Sequence, residues 1–154
     1  MRLFMDLFKI YAQELTDTEE SRTLIDSSVW IAFWLTTDSQ HAKGLELVKN
    51  FSAQSKIYTH SIIATEVLTV LRNRKARNID IIYREILDEI YGTFDNTPLD
   101  LASIQPFFVK FPKLSIVDAF LLYLSWDKNY TLVTLDKNLY KIAQKLGLKA
   151  YGVK

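Results

Sequence analysis

Residues 115–138, SIVDAFLLYLSWDKNYTLVTLDKN, decide the fold because a helix, a strand and the start of another helix follow one another directly. The apolar residues of the first part have helical spacing, and TLVTL is a short strand that is apolar over most of its length. Two acids interrupt this pattern: Asp118 lies within the apolar helix and Asp136 follows the strand. A lone carboxylate on a core face is costly. Either a charged partner elsewhere in the chain or a role in a functional site must therefore explain these acids.

Helices and short apolar strands alternate along the rest of the chain. The predicted strands are TLID, KIYTH, TFDNT, TLVTL and KAYGV. One helix, SIIATEVLTVLRNRKA, is predicted to continue to Ala76, and another, LDLASIQPFFVKF, is predicted to break or bend at Pro106. Short apolar strands separated by helices are typical of a parallel sheet that is covered on both faces. The sequence predicts an α/β fold, a three-layer α/β/α sandwich with a short-stranded, mainly parallel sheet.

The first 21 residues have a different pattern. Apolar side chains recur there at helical spacing, and the polar stretch TDTEES follows them. We therefore expect an N-terminal amphipathic helix and linker over residues 1–21 and one domain over residues 22–154. The apolar positions of this helix are Leu3, Phe4, Leu7, Phe8, Tyr11 and Leu15.

Composition narrows the classes of function. The chain has 154 residues, of which 49% are apolar, so it has enough material for one core. With 19 basic and 18 acidic residues, it lacks the overall positive charge of strong non-specific nucleic-acid binders. The absence of cysteine excludes disulfides and thiolate sites. No apolar run approaches the roughly 18 residues of a membrane span, and we expect a soluble, cytoplasmic protein without membrane contact.

Four acids stand out from this pattern. Asp26 closes the strand TLID and Asp136 follows TLVTL, so both are expected at the carboxyl edge of the sheet, where open parallel sheets bind ligands. Each is also a good helix N-cap, and for either residue alone the cap is the better interpretation. Asp118 and Glu66 have apolar neighbours at helical spacing and are expected on inward helix faces; a buried salt bridge is the alternative for each.

Together the four acids favour a metal site. Carboxylates drawn together at one edge would repel each other strongly, and a divalent cation removes that repulsion. Mg²⁺ and Mn²⁺ prefer carboxylate and water ligands and commonly serve in phosphoryl hydrolysis. The sequence therefore predicts a Mg²⁺ or Mn²⁺ site.

Five segments also resemble the PIN-domain nucleases, and within them the VapC-type toxins of toxin–antitoxin pairs. They are LIDSSVWIAFW, HAKGLELV, TEVLTVL, LSIVDAFLLYLS and LVTLDKNLYKIAQKLGL, in the family's order over residues 23–152. The resemblance implies an acidic catalytic and metal-binding cluster of Asp26, Glu66, Asp118 and Asp136. It also implies supporting hydroxyl groups on Ser28 and Thr134.

The activity implied by this resemblance is that of a metal-dependent endoribonuclease. It would hydrolyse phosphodiester bonds in single-stranded or loop RNA with Mg²⁺ or Mn²⁺ and leave a 5′-phosphate. Asp26 and Asp118 would be direct metal ligands, and Glu66 and Asp136 would hold a second position or order water. An antitoxin protein and a homodimer are the implied partners.

RNA contact needs a local patch because the net charge is near zero. RNRKARN continues the Glu66 helix and is the candidate, although a solvated helix end is the better interpretation of this run alone. Trp30, Phe33 and Trp34 could stack on bases, but such residues more often belong to a core or an interface. For His41 and His60 we expect packing or capping roles. The candidate RNA-binding residues are Arg72, Arg74, Lys75 and Arg77.

Three other functions compete with this interpretation. A PIN-domain nuclease of RNA maturation or turnover would share the site without being a toxin. A non-catalytic PIN-like module would use the acids only as caps and ion pairs. A phosphate-receiving response-regulator domain requires an acidic pair after its first strand, and the serines that follow LID exclude it.

Overall fold

The computed structural model describes residues 20–153, which contain five strands in one sheet. Their order is β3-β2-β1-β4-β5, and every neighbouring pair is parallel. The predicted α/β class is confirmed, and the sheet is parallel throughout rather than mainly so. The strands are β1 (Arg22–Ile25), β2 (Lys56–His60), β3 (Thr93–Asp95), β4 (Thr131–Thr134) and β5 (Ala150–Gly152).

Seven helices connect these strands within the described residues. None of the helices in residues 20–153 combines the length and the hydropathy needed to cross a membrane. The N-terminal helix predicted for residues 1–21 lies outside the described residues, except for the last two positions of its linker. The helices are α1 (Ser27–Trp34), α2 (His41–Gln54), α3 (Ser61–Asn73), α4 (Ile79–Leu87), α5 (Leu101–Lys110), α6 (Ile116–Asp127) and α7 (Lys137–Lys145).

The strand order reverses between β1 and β4. From β1 the chain adds β2 and β3 on one side, then crosses to the other side for β4 and β5. Because such crossovers are right-handed, α1–α4 cover one face of the sheet and α5–α7 cover the other. The contacts of α1 with α2 and α3, and of α5 with α6, agree with this arrangement. A topological switch point therefore lies at the carboxyl ends of β1 and β4.

Burial along the central strands confirms that both faces are covered. Successive side chains of a strand point to opposite faces. Leu24 and Ile25 of β1 are both fully buried, and so are Leu132 and Val133 of β4. This double burial explains why the strands are continuously apolar and why a polar group at their ends marks the edge of the core.

One prediction about a helix was wrong, and one alternative of another was excluded. The helix expected to reach Ala76 ends at Asn73, because Lys75 adopts a left-handed conformation with φ 54°. The N–H of Ala76 then bonds the carbonyl of Leu71 at 2.9 Å and closes the helix end. For Pro106 the prediction was a break or a bend, and the break is excluded because α5 is one helix with the proline inside it. The buried side chains of Ile104 and Phe107 hold this helix against the core on both sides of the proline.

Gly44 permits the close approach of α2 to α1. A Cβ atom at this position would lie 2.7 Å from the backbone nitrogen of Phe33 and 2.8 Å from Ala32 atoms. We expect Gly44→Ala to lower the free energy of unfolding by about 1–3 kcal/mol, because the two helices must separate. Chemical denaturation measures this change. In an uncrowded helix the same substitution stabilises by about 1 kcal/mol, so an increase in stability would contradict the close contact.

Candidate active site at the carboxyl edge of the sheet

Asp26 is the buried centre of the site. It follows β1 at the switch point, is only 4% exposed and caps α1, accepting a 2.7 Å bond from the Ser27 backbone N–H. Its Oδ2 accepts hydrogen bonds from the hydroxyl groups of Ser28 at 2.7 Å and Thr134 at 2.8 Å. The predicted cap and the two predicted supporting hydroxyl groups therefore meet at one carboxylate.

The two hydroxyl groups are themselves held by the loop after β4. The backbone N–H of Leu135 donates to Ser28 Oγ at 3.0 Å, and that of Asp136 donates to Thr134 Oγ1 at 2.9 Å. Because each hydroxyl oxygen accepts from an amide, its hydrogen is free to point at Asp26. This network fixes the carboxylate between β1 and β4 and orients its lone pairs before any ligand arrives.

Burial makes the charge on Asp26 costly. Desolvation raises the pKa of Asp26, although the hydrogen bonds from Ser28, Thr134 and Ser27 oppose this effect. The negative charge of Glu66 raises the same pKa further. Within the described residues, no lysine or arginine forms a salt bridge with Asp26. The carboxylate is thus pre-oriented but lacks a compensating positive charge.

Asp118 extends the negative region from the first turn of α6. It forms a capping box with Ser115, accepting the Ser115 N–H at 3.1 Å while its own N–H donates to Ser115 Oγ at 3.1 Å. Desolvation raises the pKa of Asp118, and the charges of Asp26 and Asp136 raise it further. These electrostatic interactions indicate that three acids from distant parts of the sequence lie in one region.

The other two acids of the predicted cluster, Asp136 and Glu66, have exposed side chains. Asp136 caps α7 and accepts the backbone N–H groups of Asn138 and Leu139 with one oxygen, while its side chain is exposed. Glu66 was predicted on an inward helix face, and this was wrong: its side chain is exposed. The helix buries Ile63, Val67 and Leu71, and Glu66 lies on the flank of that stripe.

The donor set suits a hard divalent ion. Several carboxylate oxygens are free of hydrogen bonds within residues 20–153: both of the Glu66 side chain and one each of Asp118 and Asp136. None of these side chains has a lysine or arginine partner there. Carboxylate oxygens are the ligands that Mg²⁺ and Mn²⁺ prefer. In the same residues, no three acidic or histidine side chains are already gathered around one point. An ion at this edge would therefore need several waters to complete its coordination, as Mg²⁺ commonly keeps in proteins.

The two histidines have structural roles, as predicted. His41 Nδ1 donates to the Ala32 carbonyl at 2.7 Å and so satisfies the end of α1. His60 caps α3: its Nδ1 accepts from the Ile62 N–H at 3.1 Å. Both ring nitrogens of His60 are used in structural bonds, since Nε2 donates to the Thr97 carbonyl at 2.8 Å.

The three aromatic residues of α1 differ in burial. Trp30 and Leu35 are each 3% exposed, so Trp30 cannot stack on a base and the core interpretation is confirmed for it. Phe33 and Trp34 are half-buried and pack against Tyr91. In the described part of the chain, the buried indole N–H groups of Trp30 and Trp34 have no acceptor.

The basic run lies at the end of α3 away from the acids, and its four basic side chains are exposed. Arg74 Nη1 forms a 3.0 Å salt bridge with Asp38 Oδ2. Its charge is therefore partly compensated, which weakens this one member of the predicted RNA-binding set.

Sequence reasoning missed two features at this edge. The capping box of Ser115 and Asp118 follows the S-x-x-D signature of a helix start and was visible in the sequence. The buried pair of Asp95 and Tyr130, in which the tyrosine hydroxyl donates to Asp95 Oδ2, had no sequence signal because the two residues come from separate elements.

The PIN domain family matches residues 23–145, most of the chain. The chain belongs to the PIN domain family. The predicted family is thereby confirmed, and with it the hydrolytic nuclease class; PIN-domain nucleases generally use divalent metal ions. Among curated proteins, none matches the sequence significantly.

Solved structures support the same fold. VapC20 of Mycobacterium tuberculosis, described as a Sarcin-Ricin loop cleaving toxin, is 19% identical with a TM-score of 0.66 over 79% of this chain and 95% of that one. PAE2754 from Pyrobaculum aerophilum is 19% identical with a TM-score of 0.60, covering 86% and 90%. VapBC2 from Rickettsia felis, bound to a DNA fragment from its promoter, is 12% identical with a TM-score of 0.60, covering 86% and 99%. At these identities the similarity establishes the fold alone.

The raised pKa of Asp26 leads to a stability prediction for metal-free protein in EDTA. A carboxyl whose pKa is raised by folding stabilises the fold below its ordinary pKa, and this stability is lost as the pH rises through the folded value. Asp26→Asn keeps a good N-cap and removes the charge. We expect its melting temperature to exceed that of the wild type near pH 7, by about 2–4 °C for each kcal/mol regained.

The difference in melting temperature between Asp26→Asn and the wild type should shrink as the pH falls toward 4. Thermal melts across this pH range measure it. Asp100→Asn is the matched control, since Asp100 is an exposed N-cap of α5. A difference that stays constant with pH would show that burial of the Asp26 charge does not limit stability.

Proposed function

We propose that this protein is a metal-dependent endoribonuclease, and that it is the toxin of a VapBC-type toxin–antitoxin pair. One observation supports the nuclease proposal above all: a buried, hydroxyl-anchored Asp26 at the switch point carries a raised pKa and interacts electrostatically with other acids. Such an arrangement is unfavourable by itself and becomes favourable when a cation binds. Perturbed carboxylates of this kind cluster at functional sites.

The residues have distinct roles in the proposed mechanism. Asp26 and Asp118 would hold the metal ion directly, and Glu66 and Asp136 would orient water through their unpaired oxygens. When bound, Mg²⁺ or Mn²⁺ supplies Lewis acidity, which activates water for attack and neutralises charge on the phosphate. Ser28 and Thr134 keep Asp26 oriented, so that no reorganisation is needed during the reaction.

The proposed partners follow from the same assignment. The antitoxin would bind the toxin as a protein inhibitor, and the half-buried aromatic side chains of Phe33 and Trp34 are the surface we assign to it. We also propose a homodimer, and a cytoplasmic location where RNA and antitoxin are available.

Cleavage of single-stranded RNA tests the catalytic proposal. We expect cleavage with Mg²⁺ or Mn²⁺, products that carry a 5′-phosphate, and loss of activity in EDTA. Asp26→Asn and Asp118→Asn should each reduce the rate by about 100-fold or more, because each removes a charge that holds the ion. Gel analysis of end-labelled RNA measures both effects.

Asp100→Asn serves as the control for these rates, since it changes the charge of a helix cap outside the acidic cluster. Equal cleavage by wild type and both site variants, or cleavage that persists in EDTA, would refute the mechanism. Growth arrest on expression that is relieved by co-expression of a partner protein separates the toxin from the housekeeping PIN nuclease. A protein that binds RNA without cutting it is the non-catalytic alternative.

The basic run gives a separate prediction about RNA affinity. The measurement uses catalytically inactive Asp26→Asn protein, which binds RNA without cutting it. Neutralising Arg72 and Arg77 in this protein should weaken RNA binding and reduce the slope of log affinity against log salt by roughly one per lost phosphate contact. Arg74→Gln should have a smaller effect because Asp38 already pairs with that charge. Fluorescence anisotropy at several salt concentrations measures this, with the exposed Lys49→Gln as control. Unchanged salt dependence would remove the run from the binding surface.

A further inference from the structure

A second feature of the carboxyl edge is a cleft of about 440 Å³ between the start of α3 and the segment after β3. None of the residues that line it carries a charged lysine, arginine, aspartate or glutamate side chain. Each wall combines polar and apolar side chains. The lining side chains include Ser61, Ile62, Thr65, Asn96, Pro98 and Leu99.

One buried imidazole joins the two walls of this cleft. His60 Nδ1 accepts from the Ile62 N–H on α3, which leaves Nε2 as the donor to the Thr97 carbonyl at 2.8 Å on the opposite wall. His60 is 6% exposed and packs edge-on against Phe120. The width of the cleft is therefore set by a residue that the proposed cleavage chemistry does not use.

A second buried group holds the same wall. Asp95 is 8% exposed and accepts the Thr97 N–H at 2.8 Å, and the hydroxyl of Tyr130 donates to its other oxygen. Burial would raise the pKa of Asp95, but the hydrogen bonds from Thr97 and Tyr130 outweigh it and lower that pKa. The segment at residues 96–99 is thus fixed in place by buried polar groups, as a preorganised binding wall would be.

The cleft lies at the same edge of the sheet as the acidic site. Ile62, in the cleft, lies one helical turn before Glu66 on the same side of α3. The strand that ends at His60, β2, is the direct neighbour of β1, which ends beside Asp26. The end of β3 lies two strand spacings from that of β1, roughly 10 Å. When an RNA strand lies across the acids, a nucleotide next to the scissile phosphate is therefore within reach of the cleft.

We propose that this cleft holds an unpaired base of the RNA substrate next to the scissile phosphate, and that Asn96 reads the edge of that base. This inference rests on the proposed function. The uncharged lining suits a neutral base rather than a phosphate, and the volume falls in the range of small-ligand sites. Ile62, Pro98 and Leu99 offer apolar contact to the base, while the amide of Asn96 offers a donor beside an acceptor.

The test compares cleavage-site preference among variants. Each protein digests a pool of single-stranded RNA with a randomised central region, and sequencing of the product ends gives the base preference at each position around the cut. We expect the wild type to prefer particular bases at one position flanking the cut. Asn96→Ala should lose this preference and reduce cleavage efficiency roughly three- to tenfold, the effect of a lost hydrogen bond.

Asn96→Asp should change the preferred base rather than abolish the preference, because a carboxylate only accepts hydrogen bonds. Leu99→Ser should raise KM without changing which base is preferred. The matched control is Asn50→Ala on the exposed surface of α2, which should leave both quantities unchanged.

The outcomes separate the two proposals. A wild type that cleaves no RNA overturns both the proposed function and the cleft assignment. A wild type that cleaves, with Asn96 and Leu99 variants that match it in efficiency and base preference, overturns the cleft assignment alone. If these variants instead change only the inhibition by a bound antitoxin, the cleft belongs to a protein partner and the base site is refuted.

Discussion

The pairing of β1 with β4 is the constraint on which the site depends. These strands are more than 100 residues apart in sequence, yet their parallel pairing places Asp26 against Thr134, with 2.8 Å between the hydroxyl and the carboxylate. The loop after β4 then supplies the amides that orient the two hydroxyl groups around Asp26. A strand order that reverses at this point leaves a crevice there, because the helices leaving β1 and β4 cover opposite faces. The acidic site is therefore a consequence of the topology, and the side chains make use of a gap that the topology creates.

Three of the four acids have two functions at once. Asp26, Asp118 and Asp136 each stabilise the first turn of a helix, through a cap or a capping box, and each still contributes negative charge to the same edge. Capping explains how the fold tolerates these carboxylates when no cation is bound: backbone N–H groups and helix N-termini partly compensate the charge. It does not compensate the charge fully, because burial and mutual repulsion still raise the pKa values of Asp26 and Asp118. Under the proposed function, that residual cost is what would favour the binding of a cation.

The carboxyl edge divides into two regions with different physical character. Around β1 and β4 it is anionic and anchored by hydroxyl groups. Around β2 and β3 the cleft lining is uncharged, and the buried groups of His60, Asp95 and Tyr130 behind it hold its walls. In both regions the groups that fix the geometry are buried, whereas the groups that face solvent are free to contact a ligand. Under the two proposals, phosphate cleavage and base binding would take place at neighbouring parts of one sheet edge, which α3 connects.

The sequence by itself determined the α/β class, the positions of the strands and the two strand-end aspartates, because hydrophobic periodicity and capping preferences are local properties. It also indicated Ser28 and Thr134 through the family resemblance. It misplaced Glu66, whose apolar neighbours Ile62 and Val70 are only half-buried, since periodicity shows which residues share a helix face but not which face the sheet covers. It extended α3 past Lys75 and left a break in α5 at Pro106 open, because a left-handed residue and a tolerated proline depend on packing. Only the tertiary structure joined Asp95 to Tyr130 and His60 to Thr97, because those bonds link residues that nothing in the local sequence brings together.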